Sequence, residues 1–320
     1  MRVSALLTCW NAAWCIERAL DSVFAQTRPA DEVLVSDDGS TDDTVARIEA
    51  RYGDRVRVLR LPHRGLTPSR RAAIEASTGD WFALLDADDV WLPEKLERQI
   101  ALAGRHPQAR WLVSDAAYVT ETEVLRASWL SAYFTPVTER AGDLLPLLVE
   151  RSFALPSGCL IERAAYDAVG GFDVAIPYSQ DYDLFLKLAA RFHGAVGAEP
   201  LLRYYASPGQ LSRRMEERYR DDLALMRAVA AGKLRDDPAI RRAGARRAAE
   251  TAYRLGLLLL RAGRFDEARP LLREAAAGDT PLSWRLTALA GTALPAAVLR
   301  RVMRSHRAGG PSAGAGAAGG

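Results

Sequence analysis

Cysteine and histidine are scarce in this chain of 320 residues, and their positions exclude several classes of protein. The three cysteines include no Cys-x-x-Cys pair, and an odd number does not complete a disulfide framework. The four histidines lack the spacing of zinc ligands. No run of 18 apolar residues occurs, so no segment is expected to cross a bilayer as one helix. Since the N-terminus enters a strand pattern without a signal peptide, we expect a protein of the reducing cytoplasm.

Charge is unevenly distributed, although the formal net charge is only +3. Residues 1–212 carry 22 basic and 29 acidic residues, whereas residues 213–320 carry 21 basic and 11 acidic residues. This asymmetry suggests an acidic catalytic half and a basic segment that faces an anionic partner, such as a membrane surface or an acidic acceptor. Few aromatic residues lie between the basic ones, which argues against a nucleic acid as the partner.

Two carboxylate clusters each follow directly after a short apolar run. They are segment 37–40 (Asp-Asp-Gly-Ser) and segment 86–89 (Asp-Ala-Asp-Asp). Apolar runs of this length predict buried strands of a parallel sheet, and ligands bind beyond the carboxyl ends of such strands. Asp86 and Asp88 offer the hard oxygen ligands that Mg²⁺ or Mn²⁺ prefers. Solvated turns are the alternative, since Asp also caps helices and starts turns.

Strand and helix patterns alternate over the first 110 residues, which predicts a parallel sheet with helices on both faces. Residues 111–212 have a mixed pattern, with short strands expected over residues 111–113, 157–161 and 201–205. After about residue 213 the pattern predicts helices alone. Within that region, segment 254–268 has the pattern of one tetratricopeptide-type helix pair, which cannot bury its apolar face alone. We therefore expect a helical appendage docked on the catalytic domain or on a partner. Residues 308–320 contain only Gly, Ala, Ser and Pro, and we expect them to be disordered.

The mostly apolar segment 286–299 precedes Arg300, Arg301 and Arg304. It is too short to span a bilayer, so a helix lying in a membrane interface and a docked core helix are the alternatives.

In motif content and order, residues 1–212 resemble the family 2 glycosyltransferases, inverting enzymes that use nucleotide sugars. The resemblance implies an α/β fold of the GT-A type, with a Rossmann-like, mixed, mostly parallel sheet flanked by helices and an all-helical C-terminal appendage. It divides the chain into a nucleotide-binding half (1–110), an acceptor half (111–212) and a helical region (213–307). The resemblance is carried by the two acidic segments together with segments 3–11, 25–27, 170–173 and 180–184.

The resemblance assigns Asp88 as the main ligand of Mn²⁺ or Mg²⁺. Asp86 and Asp89 assist the metal or contact the sugar and ribose, with Ala87 between them in the same binding segment. Bound metal would stabilise the charge that develops on the leaving diphosphate. The alternative for Asp89 is a helix-capping carboxylate.

The resemblance assigns the nucleobase pocket to residues near the first two strand ends. Asp38 would accept a hydrogen bond from a uracil-like N–H, and Thr8, Trp10 and Asn11 would line the pocket. Trp10 stands where many relatives have Tyr, and stacking on the base would contribute about 1–3 kcal/mol. The alternative for Trp10 is plain core packing.

By the same resemblance, Gly65 and Arg70 belong to the loop and helix start that meet the nucleotide. Arg71 replaces the Asn of many relatives, and a solvated helix face is its alternative. Ser207 stands where relatives often carry His, and Arg213 or Arg214 could supply the missing positive charge.

Asp181 matches the catalytic base of the family, in a Gln180-Asp181 pair that replaces the usual Glu-Asp. A general base contributes about 10²–10⁴-fold in rate. The alternative is an N-cap for a helix over 182–192. Asp183 would support this helix or the acceptor site.

The sequence therefore predicts an inverting, metal-dependent glycosyltransferase with a nucleotide-sugar donor, a UDP-sugar being favoured, and a glycan or lipid-linked acceptor. Bacterial surface polysaccharide or glycolipid assembly is the expected setting, with peripheral contact to the inner face of the cell membrane through the basic C-terminal helices. A catalytically inactive binding scaffold and a nucleotidyltransferase are the alternatives. The absence of a Gly-rich, Lys-containing phosphate loop near the start of the chain argues against the nucleotidyltransferase.

Overall fold

The computed structural model describes residues 1–206 and 214–293 of the chain. The chain divides into two compact units, Met1–Gln210 and Leu211–Gly320. The first unit is built on one sheet of ten strands and the second contains helices.

The sheet of the first unit is mixed. Its order is β3-β2-β1-β4-β9-β6-β10-β5, with β7 paired to β6 and β8 paired to β10. The first four strands in this order are mutually parallel, as the alternating pattern predicts, whereas β9 runs antiparallel to both of its neighbours. The strands are β1 (Val3–Cys9), β2 (Glu32–Asp37), β3 (Arg57–Arg60), β4 (Trp81–Asp86), β5 (Val90–Trp91), β6 (Ala109–Val119), β7 (Val124–Arg126), β8 (Arg140–Gly142), β9 (Cys159–Glu162) and β10 (His193–Tyr205).

Helices of the first unit pack apolar faces against this sheet. The first helix buries Ile16, Ala19, Leu20 and Val23, a helical spacing that was visible in the sequence. Every residue of β1 is buried, as expected for a central strand covered on both faces. The helices are α1 (Ile16–Phe24), α2 (Thr44–Tyr52), α3 (Leu66–Ala76), α4 (Lys95–Arg105), α5 (Leu145–Glu150), α6 (Arg163–Ala168) and α7 (Gln180–Arg191).

One predicted strand is present but begins two residues later than expected, which matters for the site. The pattern of residues 157–161 predicts a short strand, but residues Pro156–Gly158 form a 3-10 turn and β9 begins only at Cys159. Three side chains hold this turn: Trp91 Nε1 donates to Ser157 O (2.8 Å), while Gln99 Nε2 (2.7 Å) and Ser114 Oγ (3.4 Å) donate to Gly158 O. The turn leaves the hydroxyl of Ser157 available for contacts with the end of β4.

The described part of the second unit consists of four helices, α8 (Met215–Ala230), α9 (Pro238–Arg261), α10 (Phe265–Ala277) and α11 (Leu282–Ala293). The last helix docks on its neighbours through one face, where Trp284 stacks on Tyr253 with ring centroids 4.6 Å apart. Its other face exposes an apolar stripe of Leu282, Leu286 and Leu289. Within residues 1–206 and 214–293, no helix is long and apolar enough to cross a membrane.

Candidate active site

Both acidic segments lie at the carboxyl edge of the parallel strands, on either side of β1. Thr8 pairs in register with Asp86 of β4, and Cys9 pairs with Asp37 of β2. The end of β1 therefore lies between the two segments. The crevice at this edge is where ligands bind in open α/β sheets, so both acidic segments lie where a ligand would bind.

The three carboxylates of segment 86–89 differ in their exposure to solvent. Asp86 and Asp88 are partly exposed, whereas Asp89 is 1 % exposed. One oxygen of Asp89 accepts from Ser157 Oγ (2.5 Å) and the other from the backbone N–H of Tyr205 (3.1 Å). Burial raises the pKa of Asp89 well above its usual range, and Asp88 and Asp86 add to this effect. Asp89 does not cap the following helix α4, whose N-cap is Glu94, and its contact with the sugar or ribose stays a prediction.

Ser157 also connects to the first residue of the segment, because the backbone N–H of Asp86 donates to its hydroxyl (3.0 Å). One buried hydroxyl thus bridges the backbone at Asp86 and the carboxyl group of Asp89. This arrangement holds Asp86 and Asp88 at the surface of the crevice.

The exposed pair Asp86 and Asp88 fits a small divalent cation by its chemistry. Mg²⁺ is usually held by one or two carboxylates, and waters and substrate phosphates complete its coordination. No group of three or more His, Cys, Asp or Glu residues suited to a metal occurs among the described residues. A metal at this pair would therefore depend on the phosphates of a bound nucleotide.

Both carboxylate oxygens of Asp38 accept hydrogen bonds from the loop before α3. Its two oxygens accept from the backbone N–H groups of Arg64 and Gly65, at 2.9 Å each, and Nδ1 of His63 lies 2.8 Å from Oδ2. Gly65 has φ +96°, a conformation that favours glycine. Because a carboxylate has about four acceptor sites and these contacts use three, one site remains on Asp38, and its contact with a nucleobase N–H stays a prediction.

Trp10 is 53 % exposed, so the core-packing alternative is wrong. Its indole ring stacks on the imidazole of His63 with centroids 4.6 Å apart and planes 19° apart. These two rings form a flat aromatic surface above Asp38, of the kind on which a nucleobase can stack.

The neighbouring pocket residues support the loops. Thr8 is buried in β1. Asn11 has φ +49°, its N–H donates to Ser40 Oγ (2.8 Å), and its side-chain oxygen accepts from the N–H of Thr41 (2.8 Å). Asn11 thus joins the β1 loop to the β2 loop.

Arg70 lies beneath the site with its side chain 1 % exposed, and its Nη2 forms an ion pair with Asp86. Burial disfavours the charge, but Asp86 raises the pKa of the guanidinium above its usual range, and Asp181 contributes in the same direction. Across the described residues, Nη1 of Arg70 has no hydrogen-bond partner. Arg71 instead donates to the carbonyl of Phe172 (3.3 Å) and pairs with Glu75 (3.5 Å), so it is not simply a solvated residue.

Asp181 lies in the first turn of α7 and is partly exposed. The helix begins at Gln180 and its N-cap is Ser179, so the N-cap alternative for Asp181 is wrong. Gln180 is buried, and its Oε1 has no hydrogen-bond partner among the described residues. Asp183 supports the helix by pairing with Lys187 (2.7 Å).

Sequence reasoning missed three residues that line or brace this edge, namely Arg18, His63 and Ser157. None carries a local motif, because each acts through a contact more than 20 residues away in the chain. Ser207 and Arg213 lie outside the described residues.

The sequence model of glycosyl transferase family 2 matches residues 4–170. This match covers more than half of the chain, and the chain belongs to that family.

An uncharacterised glycosyltransferase of Rickettsia felis is 28 % identical over 200 residues, covering 58 % of this chain and 31 % of the relative. The chain thus spans about a third of the length of this curated relative.

Solved structures share the fold. Residues 1–349 of TarS from S. aureus, solved with UDP, match with a TM-score of 0.68 at 19 % identity, covering 100 % of this chain and 95 % of that one. TarS was also solved with UDP-GlcNAc, with a TM-score of 0.68. The mannosyltransferase PcManGT of Pyrobaculum calidifontis, solved with GDP-Man and Mn²⁺, matches with a TM-score of 0.55 at 20 % identity, covering 96 % and 84 % of the two chains. These likenesses establish the GT-A type of fold.

Proposed function

We propose that this glycosyltransferase is an inverting, metal-dependent enzyme that transfers a sugar from a nucleotide-sugar donor to a glycan or lipid-linked acceptor. The observation that carries the proposal is the convergence of Asp86, Asp88, Arg70 and Asp181 at one edge of the sheet. A cation, partly exposed carboxylates and a candidate base are the groups that glycosyl transfer requires.

The proposed reaction is a single in-line displacement. Asp181 accepts the proton of an acceptor hydroxyl, and the acceptor oxygen bonds to the anomeric carbon as the bond to the diphosphate oxygen breaks. The electron pair leaves with the nucleoside diphosphate, and the configuration of the anomeric carbon inverts. A metal bound by Asp88 and Asp86 would supply positive charge to this leaving group.

A UDP-sugar is the favoured donor. TarS, which shares the fold, binds UDP and UDP-GlcNAc, and the Trp10–His63 surface suits a stacked base. PcManGT binds GDP-Man, so the guanine nucleotide belongs in the donor screen.

The donor screen that tests this proposal measures nucleoside diphosphate release from a panel of nucleotide sugars, with Mn²⁺ or with EDTA. We expect release from one donor, lost with EDTA and in Asp88→Ala, and transfer to an acceptor strongly reduced in Asp181→Asn. Release of pyrophosphate would instead identify a nucleotidyltransferase, and nucleotide binding without turnover on any donor and acceptor would identify a scaffold.

We place the reaction in the cytoplasm, at the inner face of the cell membrane during surface polysaccharide or glycolipid assembly. One support is the exposed apolar stripe of Leu282, Leu286 and Leu289. The other is the charge of the sequence after Asp279, which contains five arginines and no Asp or Glu. An apolar stripe with basic residues suits the interface of an anionic membrane.

Flotation of the full-length chain with vesicles tests this contact. We expect binding to vesicles containing phosphatidylglycerol and weaker binding in Leu286→Ser/Leu289→Ser. Equal recovery of both proteins, or none of either, would rule out this mode of attachment.

A further inference from the structure

Arg18, on the first turn of α1, contacts residues of three separate segments, Asp88, Glu121 and Tyr205. Its Nη2 donates to the backbone carbonyl of Asp88 (3.3 Å), and its guanidinium lies 4.0 Å from the ring centroid of Tyr205. Its Nη1 donates hydrogen bonds to both carboxylate oxygens of Glu121, at 2.7 and 2.8 Å. A cation is therefore fixed next to the residue proposed as the main metal ligand.

The contacts of Arg18 leave it able to engage an anion. Its side chain is 31 % exposed and that of Glu121 is 64 % exposed. Ion pairs with this degree of exposure contribute about 0–1 kcal/mol, so Glu121 is a weak competitor for the guanidinium. Within the described residues, the buried Nε of Arg18 has no hydrogen-bond partner.

We propose that Arg18 binds the diphosphate of the donor and neutralises the charge that develops on it as the sugar leaves, and that Glu121 holds Arg18 in place when no donor is bound. This inference rests on the proposed function, because it assumes a donor whose diphosphate reaches Asp88. Arginine is suited to the task, since its fork of N–H donors matches two phosphate oxygens and stays charged.

The position of Arg18 distinguishes it from Arg70. Arg70 is buried below the sheet edge and paired with Asp86, whereas Arg18 approaches the acidic segment from α1, beside Asp88 and the end of β10. Of these two cations, Arg18 is the more exposed and therefore the better placed to contact a diphosphate directly. Charge placed where negative charge develops is often the largest single contribution to catalysis.

Equilibrium binding of UDP and of uridine, both with Mn²⁺, separates a diphosphate contact from a structural role. We expect Arg18→Gln to weaken UDP binding about ten- to a hundredfold, as for loss of hydrogen bonds to a charged group, and to leave uridine binding within about twofold. Arg18→Lys should retain part of the UDP affinity because it keeps the charge. Glu121→Gln should tighten UDP binding by up to about fivefold, because it removes the competing carboxylate.

Arg47→Gln is the matched control. Arg47 lies on α2 and pairs with Glu17 of α1, the helix that carries Arg18, so this variant should leave both affinities unchanged. Parallel weakening of UDP and uridine in Arg18→Gln, or equal loss in the Gln and Lys variants, would overturn the inference in favour of a packing role. A wild-type protein that binds neither compound would instead contradict the proposed nucleotide site, and the role of Arg18 with it.

Discussion

At the residue scale, the acidic segment 86–89 contains two kinds of carboxyl group. Asp86 and Asp88 face the crevice, whereas Asp89 is buried and fastens the segment to Ser157 and to the backbone of Tyr205. A buried carboxyl group is tolerated only when its oxygens have partners. Asp89 therefore acts as a brace for the residues that would bind ligand.

Ser157→Ala tests this brace directly. The variant removes the hydroxyl that bridges Asp86 and Asp89, so we expect a loosened segment, a Mn²⁺ requirement raised about tenfold and stability lowered by about 1–3 kcal/mol. The measurement is Mn²⁺ titration of donor turnover alongside urea unfolding. Saturating Mn²⁺ should restore part of the lost turnover.

Ser114→Ala is the control for that experiment, because Ser114 bonds the same 3-10 turn at Gly158 O without contacting the acidic segment. It should lose stability without any change in the Mn²⁺ requirement. An equal change of the Mn²⁺ requirement in both variants would show that the brace has no specific effect on the metal site.

The positions of the short motifs could be read from the sequence, whereas the contacts that their side chains make could not. Asp88 and Asp181 follow from the order of short motifs along the chain. The burial of Asp89 could not be foreseen, because it depends on Ser157 and Tyr205, which are 68 and 116 residues away in the chain. The hydrogen bonds of Asp38 likewise depend on a loop 26 residues on.

At the scale of elements, α4 supports the turn that carries Ser157. Lys95, its first residue, is fully buried, and its Nζ donates to Gln99 Oε1 (2.8 Å) and to the carbonyl of Cys159 (3.2 Å). The ammonium lies 4.1 Å from the ring centroid of Trp91. Burial lowers the pKa of Lys95 to about 7, so its charge changes near neutral pH.

This buried lysine predicts a pH dependence of folding. An unfolded lysine titrates near pH 10.4, so between pH 7 and that value the unfolded chain holds a proton that folded Lys95 has lost. Stability should therefore rise with pH over this window, by on the order of 1 kcal/mol per pH unit at most, and the contribution should be constant below pH 7.

Urea unfolding of wild type and Lys95→Met at pH 7 and pH 9.5 measures this contribution. The free energy of unfolding should rise more steeply with pH in the wild type than in Lys95→Met. Lys233→Met, which replaces an exposed lysine, should follow the wild type. Identical slopes in all three proteins would mean that Lys95 titrates as an ordinary lysine.

At the scale of the whole molecule, the alternation of strands and helices predicted the parallel half of the sheet, since apolar runs and helical spacing repeat there. The second half was predicted less well. There β10 extends over His193–Tyr205 with irregular register against β6, and the sequence indicated only its last five residues as a strand. Pairings between strands distant in the chain leave little local signal.

The central claim is that Asp86 and Asp88 hold a nucleotide diphosphate through a divalent metal. Calorimetric binding of UDP with Mn²⁺ and with EDTA tests it most directly, on wild type, Asp88→Ala and the control Asp54→Ala, which replaces an exposed carboxylate of the Gly53–Arg55 turn. We expect wild type and Asp54→Ala to bind UDP with Mn²⁺ and to lose this binding in EDTA, and we expect little binding by Asp88→Ala. UDP binding that persists in EDTA and in Asp88→Ala would contradict it.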